Sequence, residues 1–245
     1  MNRYCIKIEY LGANYSGWQS QKNGIAVQDV VERALEKVFG HSVRLTASGR
    51  TDEGVNALGQ VAHFDSPKTL RPYNLCRGTN VFLPKDVAVV DAKIVSEDFN
   101  ARKSAKRKTY LYKMYISPFR HPLLDLTHKQ IYKQPDIKAM QRASELIEGK
   151  HDFKCFMSTG SNAKTTVREI YSCRVTQEEN IIYIFVTGNA FLYNMVRAIA
   201  GTLLFVGMGK ISPEEIPQIL LSGKRSNAGK TMSPNGLTLV SVEYE

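Results

Sequence analysis

The sequence predicts an α+β fold of two similar mixed α/β halves, residues 1–103 and 104–245, whose antiparallel sheets merge into one central sheet with helices on its outer face. Two observations predict this class: each half begins with a strand of period two, and each then mixes helices with further strands. No Gly/Ser-rich linker separates the halves, so we expect them to associate rigidly around a cleft. The length of 245 residues and the hydrophobic content of 43% permit cores of this size.

The first half is predicted to begin with a strand at residues 4–10, because apolar and aromatic residues alternate there with Lys7 and Glu9. A helix is predicted at residues 27–39, where apolar residues recur at steps of three and four and Gly40 stands at the expected stop. Further strands are predicted at residues 43–47, 60–64 and 87–95. The first two of these strands flank a loop that contains Asp52, which places this carboxylate at the end of a sheet.

The second half is predicted to begin with a strand at residues 109–116, where Tyr110, Tyr112 and Met114 fall on one side. The other predicted strands cover residues 169–176, 181–187 and 237–244. Helices are predicted at residues 136–148 and 192–206. Ser212-Pro213 is predicted to start a short helix, because a capping residue precedes a helix-compatible proline.

The charge of the chain points to a polyanionic partner. The formal net charge is +10 and the sequence pI is about 9.4, values typical of proteins that bind nucleic acid. Lys224, Arg225 and Lys230 form one basic group. A denser group falls within seven residues and consists of Arg102, Lys103, Lys106, Arg107 and Lys108.

Several classes of protein are disfavoured by the sequence. No apolar run reaches the roughly 18 residues that span a bilayer, and the first residues lack the apolar core of a secretion signal. We therefore expect a cytoplasmic protein with no membrane partner. The four cysteines and five histidines are dispersed, without metal-ligand spacing, so reduced thiols and no metal site are predicted.

The strongest candidate for chemistry is Asp52, a single carboxylate in a loop between Gly49 and Gly54. The glycines allow backbone angles closed to other residues, so the carboxylate can sit at a tight turn and be approached closely by a ligand. An Asp between glycines is also a common turn former whose side chain caps a nearby N–H. The loop by itself therefore does not name a reaction.

Four segments, taken in order, resemble one known family. They are residues 10–21 (YLGANYSGWQSQ), 49–64 (which begins GRTD), 99–112 (FNARKSAKRKTYLY) and 188–207 (which contains NMVR). Nearly end to end, the chain resembles the bacterial tRNA pseudouridine synthase A (TruA-type) family. The resemblance implies an isomerase that converts uridine to pseudouridine in the anticodon arm of tRNA, at tRNA positions 38 to 40. It also implies a homodimer.

The resemblance implies roles for four residues. Asp52 corresponds to the essential catalytic residue, and Arg50 to the residue that enters the helical stack when the target nucleotide is turned out. Tyr110 corresponds to the residue that packs against the extruded uracil, and Arg197 to the one that pairs with the catalytic carboxylate. The basic group at residues 102–108 is interpreted as a phosphate contact surface. The chain departs from the usual family pattern at Glu53, Asn56, Asn194 and Ala198, next to these positions, and the departures bear on which uridines are accepted.

The implied chemistry needs these residue types. Isomerisation breaks the N1–C1′ bond and rejoins the uracil through C5, so no cofactor is required. A base inside a stem must be flipped out, at a cost of a few kcal/mol. The Asp52 carboxylate can attack C1′, stabilise positive charge on the sugar, or remove the 2′ proton, and the sequence leaves the three open. An adjacent guanidinium such as that of Arg197 favours the ionised carboxylate.

Other interpretations stay open at this stage. A non-catalytic RNA-binding protein would keep the basic surface but gives no reason for an anion in a cleft that attracts phosphates. A small-molecule hydrolase that uses Asp52 and a histidine predicts no salt-sensitive RNA affinity. Without the family, Arg197 could simply snorkel from an apolar helix. Tyr112 and Trp18 are predicted to pack in the protein, not against a base.

Overall fold

The computed structural model describes residues 1–161 and 163–245, and this part of the chain contains ten strands and six α-helices. The strands are β1 (Asn2–Tyr10), β2 (Thr46–Ala47), β3 (Asn56–Ser66), β4 (Val87–Val95), β5 (Arg107–Ile116), β6 (Lys129–Ile131), β7 (Gly149–Asp152), β8 (Val167–Glu178), β9 (Ile181–Gly188) and β10 (Leu237–Glu243). The helices are α1 (Val27–Phe39), α2 (Pro72–Phe82), α3 (Pro122–Asp125), α4 (Ile137–Glu145), α5 (Met195–Gly207) and α6 (Ile216–Ser222). The predicted combination of helices with largely antiparallel strands is confirmed.

The chain divides into two units. The first unit comprises Met1–Lys106 and Leu239–Glu245, and the second comprises Arg107–Thr238. The division therefore falls inside the basic group of residues 102–108, and the last strand returns to the first unit. Nothing in the local sequence pattern indicates that return.

The first unit is an antiparallel sheet covered by two helices. Its strands follow the order β4-β1-β3-β10, with the short β2 paired to β3. The alternating residues of β1 are buried as the period-two pattern predicts, and Tyr4 stacks on Phe64 with ring centroids 5.3 Å apart. Phe39, the last residue of α1, meets Phe64 edge to face at 5.4 Å. This aromatic cluster joins α1 to the middle of the sheet.

The second unit repeats the combination of a sheet with packed helices. Its strands follow the order β5-β9-β8-β7, and β6 pairs with β5 in parallel. Helix α4 packs against β8 and against α5, and α5 packs against β5. Nearly every residue of α5 is buried, and Arg197 is its one charged residue. The predicted apolar helix is therefore the core helix of this unit.

Two local predictions are wrong, and the sequence pattern does not predict helix α2. Residues 43–45 are not a strand, because the Leu45 N–H donates to the Glu32 carboxylate of α1 over 2.8 Å instead of joining the sheet. Residues 192–194 are not helical, because Asn194 adopts a left-handed conformation with φ of 61° and α5 begins after it. Helix α2 was not predicted, because its Gly, Thr, Val and Asn residues are weak helix formers.

Candidate active site

Asp52 lies in the loop between β2 and β3, where it is half-buried. The loop turns at residues 52–55, and the Val55 N–H donates to the Asp52 carbonyl over 3.2 Å. Gly54 holds the third position of this turn with φ of 75°, a positive angle that a type II turn requires there. The carboxylate is therefore carried by a tight turn that leads directly into β3.

The segment after β1 fastens this turn on both sides of the carboxylate. On one side, the Trp18 N–H donates to the Thr51 carbonyl over 3.1 Å; on the other, the Gly54 N–H donates to the Tyr15 carbonyl over 3.3 Å. The Tyr10 hydroxyl shares a hydrogen bond of 2.9 Å with Thr51 Oγ1. Burial raises the pKa of Tyr10, which keeps this hydroxyl neutral. Backbone bonds therefore fix the position of the turn.

Two glycines allow this close approach of backbone to backbone. A Cβ atom on Gly12 would lie 2.2 Å from the Val55 carbonyl oxygen, and one on Gly17 would lie 2.5 Å from the Thr51 carbonyl oxygen. Gly17 also has φ of 89°, which side chains disfavour. Sequence reasoning assigned neither glycine a role. Their place in the segment of residues 10–21, which resembles the family, was the available signal.

Two buried amide side chains, those of Gln60 and Asn56, bond to the loop that contains Asp52 and to the segment after β1. Gln60 is fully buried; its Nε2 donates to the Gly49 carbonyl over 2.9 Å, and its Oε1 accepts from the Ser48 hydroxyl over 2.8 Å. Asn56 Oδ1 accepts from the Gly12 N–H over 2.8 Å. Asn56 therefore holds the two loops together. Sequence reasoning did not identify Gln60, because a glutamine inside a strand carries no motif.

Arg50 and Trp18 flank the turn in different ways. Arg50 shares the loop with Asp52 and is exposed. Trp18 is 2% exposed and packs beside Tyr10, with ring centroids 6.1 Å apart. The prediction that Trp18 packs in the protein is confirmed.

Tyr110 lies on β5 in the second unit, where it is 8% exposed. Its ring meets the ring of Phe191 edge to face, with centroids 5.0 Å apart and an interplanar angle of 81°. Tyr112, two residues later, is fully buried, and its hydroxyl donates to the Ser233 carbonyl over 2.8 Å. Burial raises the pKa of Tyr112 to about 12. The predicted structural role of Tyr112 is confirmed.

Arg197 lies in the first turn of α5 and is half-buried. Its Nε donates to the Met232 carbonyl over 2.7 Å, and one terminal nitrogen donates to Asn194 Oδ1 over 2.6 Å. The Met232 N–H donates in return to the Arg197 carbonyl over 3.2 Å. The Met232 carbonyl and the Asn194 amide oxygen therefore both bond to this guanidinium. An arginine that merely snorkels would extend its guanidinium into solvent.

The basic group of residues 102–108 begins with an ordered turn. Asn100 Oδ1 accepts from the N–H groups of Arg102 and Lys103, each over 3.0 Å. The guanidinium of Arg107 lies over the ring of Tyr171 at 5.0 Å. Four of the five cations are exposed and Lys108 is half-buried: Arg102, Lys103, Lys106, Arg107 and Lys108. The ordered turn carries Arg102 and Lys103, whereas Arg107 and Lys108 lie at the start of β5.

The five histidines are held by partners of their own. His63 Nδ1 accepts from the Ala101 N–H over 3.1 Å, and burial lowers the pKa of His63. The others bond to neighbouring hydroxyl groups or carbonyls: His41, His121, His128 and His151. Across residues 1–161 and 163–245, no cluster of three or more His, Cys, Asp or Glu residues has the arrangement of a metal site. In the same described residues, no helix is both long and apolar enough to cross a bilayer.

Comparison with known proteins identifies the family. A profile described as tRNA pseudouridine synthase matches residues 6–102 and 143–245. The chain belongs to this family, and it is therefore a pseudouridine synthase, an isomerase. Asp52, Arg50 and Arg197 lie inside the matched spans, and Tyr110 lies between them.

Relatives of similar length match the whole chain. A protein of Caldicellulosiruptor saccharolyticus named tRNA pseudouridine synthase A is 45% identical over 247 residues, which cover all of both chains. A protein of the same name from Syntrophotalea carbinolica is 46% identical over 237 residues, which cover 97% of this chain and 94% of the relative. Another from Acetivibrio thermocellus is 45% identical over 244 residues, again over both full lengths. This similarity disfavours the two alternative interpretations, a non-catalytic RNA-binding protein and a small-molecule hydrolase.

Proposed function

We propose that this isomerase converts uridine to pseudouridine in the anticodon arm of cytoplasmic tRNA, at tRNA positions 38 to 40, and that Asp52 is its catalytic residue. The observation that carries the proposal is the turn at residues 52–55, whose backbone is held by hydrogen bonds on both sides of the residue that carries the carboxylate. Preorganised groups of this kind stabilise developing charge without reorganising during the reaction. Three relatives that match the chain over nearly their full lengths are named tRNA pseudouridine synthase A, which supports tRNA as the substrate.

For the neighbouring residues we propose the roles that the family resemblance implies. Arg50 is exposed beside Asp52, and in our proposal it fills the gap left in the RNA stack when the target nucleotide is flipped out. The ring of Tyr110 packs against the extruded uracil. The guanidinium of Arg197 pairs with the Asp52 carboxylate and keeps it ionised in a desolvated site. No step requires a cofactor, because the reaction only moves one glycosidic bond within the substrate.

The proposal is tested by mapping the product. The purified protein is incubated with unmodified tRNA transcripts, and pseudouridine is located nucleotide by nucleotide. Matched transcripts carry cytidine at positions 38 to 40 and are otherwise unchanged. We expect pseudouridine at these positions in the first set and none in the second. Pseudouridine elsewhere in the second set would contradict the anticodon-arm assignment, and its absence from every transcript would contradict tRNA as substrate.

Removal of three exposed cations from the basic group is expected to flatten the salt dependence of tRNA binding. The variant replaces Arg102, Lys103 and Lys106 by Gln, which leaves the Asn100 bonds to the backbone in place. Each lost phosphate contact lowers the slope of log K against log salt by roughly 0.7 to 0.9. Filter binding at a series of salt concentrations measures the slope.

A matched variant separates this effect from the loss of net charge. It replaces three exposed lysines elsewhere in the chain by Gln: Lys133, Lys138 and Lys150. We expect its slope to equal that of the unchanged protein. Equal slopes for both variants would show that the basic group is only a solvated surface.

We also expect a homodimer, because a chain of 27.5 kDa is small for gripping both the body of a tRNA and its anticodon arm. Sedimentation at working concentration should give twice the mass of the chain. A monomer that retains full activity would contradict this expectation.

A further inference from the structure

Asn194 occupies an unusual position at the start of α5. It is the N-terminal flanking residue of the helix, a position where Asn is among the most favoured residues because its side chain caps a backbone N–H. Here the side chain makes no capping hydrogen bond, and the backbone is left-handed, with φ of 61° and ψ of 9°. Glu179 is the other non-glycine residue with positive φ in the described part of the chain. Asn194 therefore does not cap the helix with its side chain. Its backbone adopts a conformation that Asn tolerates better than most residues.

The side chain of Asn194 bonds to Arg197 instead. Its Oδ1 accepts from a terminal nitrogen of the guanidinium over 2.6 Å, and its Nδ2 donates to the Ser158 hydroxyl over 3.0 Å. A guanidinium can only donate, which fixes the oxygen of the amide toward Arg197 and the nitrogen toward Ser158. Ser158 is itself held, because its N–H donates to the Tyr193 carbonyl over 3.1 Å. The amide is therefore a bridge between a fixed loop and the arginine.

The site needs such a bridge because a cation is disfavoured where Arg197 lies. The first turn of a helix carries the positive end of the helix dipole, which repels a guanidinium. Arg197 is also the one charged residue of α5, whose other residues are almost all buried. The Met232 carbonyl supplies one acceptor over 2.7 Å. Asn194, three residues before Arg197, supplies a second acceptor.

We infer that Asn194 is a positioning residue of this isomerase: its left-handed backbone turns the side-chain amide away from the helix cap so that Oδ1 aims the guanidinium of Arg197. The inference rests on the proposed function, in which Arg197 pairs with the catalytic carboxylate. Asn194 itself does not need to touch the substrate.

The test is Asn194→Gly, which removes the amide but keeps the left-handed backbone, because Gly adopts positive φ without strain. The matched control is Glu179→Gly, the same change at the other residue of positive φ, in the exposed turn between β8 and β9. We expect kcat for pseudouridine formation to fall about 10- to 100-fold in Asn194→Gly and to stay unchanged in Glu179→Gly. The Kd for tRNA should be the same in both, because the charge of Arg197 is retained.

A double-mutant cycle distinguishes positioning of Arg197 from general damage. In an Arg197→Ala background, Asn194→Gly should cause no further loss of kcat, because the group it aims is already absent. Ser158→Ala removes only the acceptor of the amide nitrogen and should lower kcat less than Asn194→Gly. If Asn194→Gly melts well below the control, the kcat of Ser158→Ala still tests whether the bridge matters.

The outcomes separate the inference from the proposed function. A lost kcat in Arg197→Ala beside an undiminished kcat in Asn194→Gly overturns the inference alone, and so do fully additive losses in the double variant. A full kcat in Arg197→Ala overturns the proposed role of Arg197, and the inference with it. The product map of the unchanged protein is unaffected by either result.

Discussion

Replacing Asp52 by Asn is expected to abolish pseudouridine formation, with a fall in kcat of at least about 10³-fold. The amide has nearly the shape of the carboxylate but carries no negative charge, so it can neither attack C1′ nor stabilise a cationic sugar. The turn should survive, because backbone groups fasten it: Thr51 and Gly54 bond to Trp18 and Tyr15, and the Val55 N–H bonds to the Asp52 carbonyl within the turn. Single-turnover rates and tRNA affinity, measured side by side, check this expectation.

Glu53→Gln is the matched control for Asp52→Asn. Glu53 is the next residue of the same turn and is exposed, so its replacement removes the same charge from the same place along the chain. Any general gain in affinity for an anionic RNA should appear in both variants, whereas the loss of turnover should appear only in Asp52→Asn. Turnover at the unchanged rate in Asp52→Asn, or an equal loss in both, would refute the catalytic assignment.

The elements predicted correctly are those whose burial is one-sided. The opening strand and α1 each present one face to the core, so the spacing of their apolar residues records the structure directly. Gly40 marks the end of α1 because the helix closes there with φ of 77°. Helix α2 shows no such spacing of apolar residues, since it buries only Leu75 and Thr79. It is also built from residues of low helix propensity. Its formation depends on packing against α1 and β4.

The candidate site was predictable in part for a similar reason. The residues 49–54, which flank Asp52 with glycines, gave a local signal, and the resemblance then named a role for it. The support of the turn comes from residues distant in sequence, such as Tyr15, Trp18 and Gln60. Hydrogen bonds between backbone groups leave no side-chain pattern, so only the glycines that permit the approach could have indicated them. The left-handed conformation of Asn194 likewise has no sequence signature, because Asn is also a favoured residue in an ordinary helix cap.

Gly17→Ala is expected to displace the turn that carries Asp52 and to lower kcat about 100-fold, the loss typical of a shift of about 1 Å at a reacting group. The new Cβ atom would lie 2.5 Å from the Thr51 carbonyl oxygen and 3.1 Å from the Asp52 carbonyl carbon. Both neighbours are backbone atoms, so they cannot rotate aside as the end of a flexible side chain can. The turn or the Trp18 segment has to move, and the hydrogen bond from the Trp18 N–H to Thr51 weakens with it.

Gly40→Ala is the matched control for Gly17→Ala, because it imposes the left-handed penalty without displacing the turn that carries Asp52. Gly40 has φ of 77°, close to the 89° of Gly17, but a Cβ atom there meets nothing within 4 Å. Both substitutions therefore impose the left-handed penalty of about 1 to 2 kcal/mol on the free energy of unfolding, and only Gly17→Ala adds the collision. We expect Gly40→Ala to melt earlier than the unchanged protein with full kcat, and Gly17→Ala to lose kcat at temperatures well below its own melting. If the two variants keep equal kcat, the carboxylate does not depend on the backbone contact that Gly17 permits, and the fastening of the turn is a matter of stability alone.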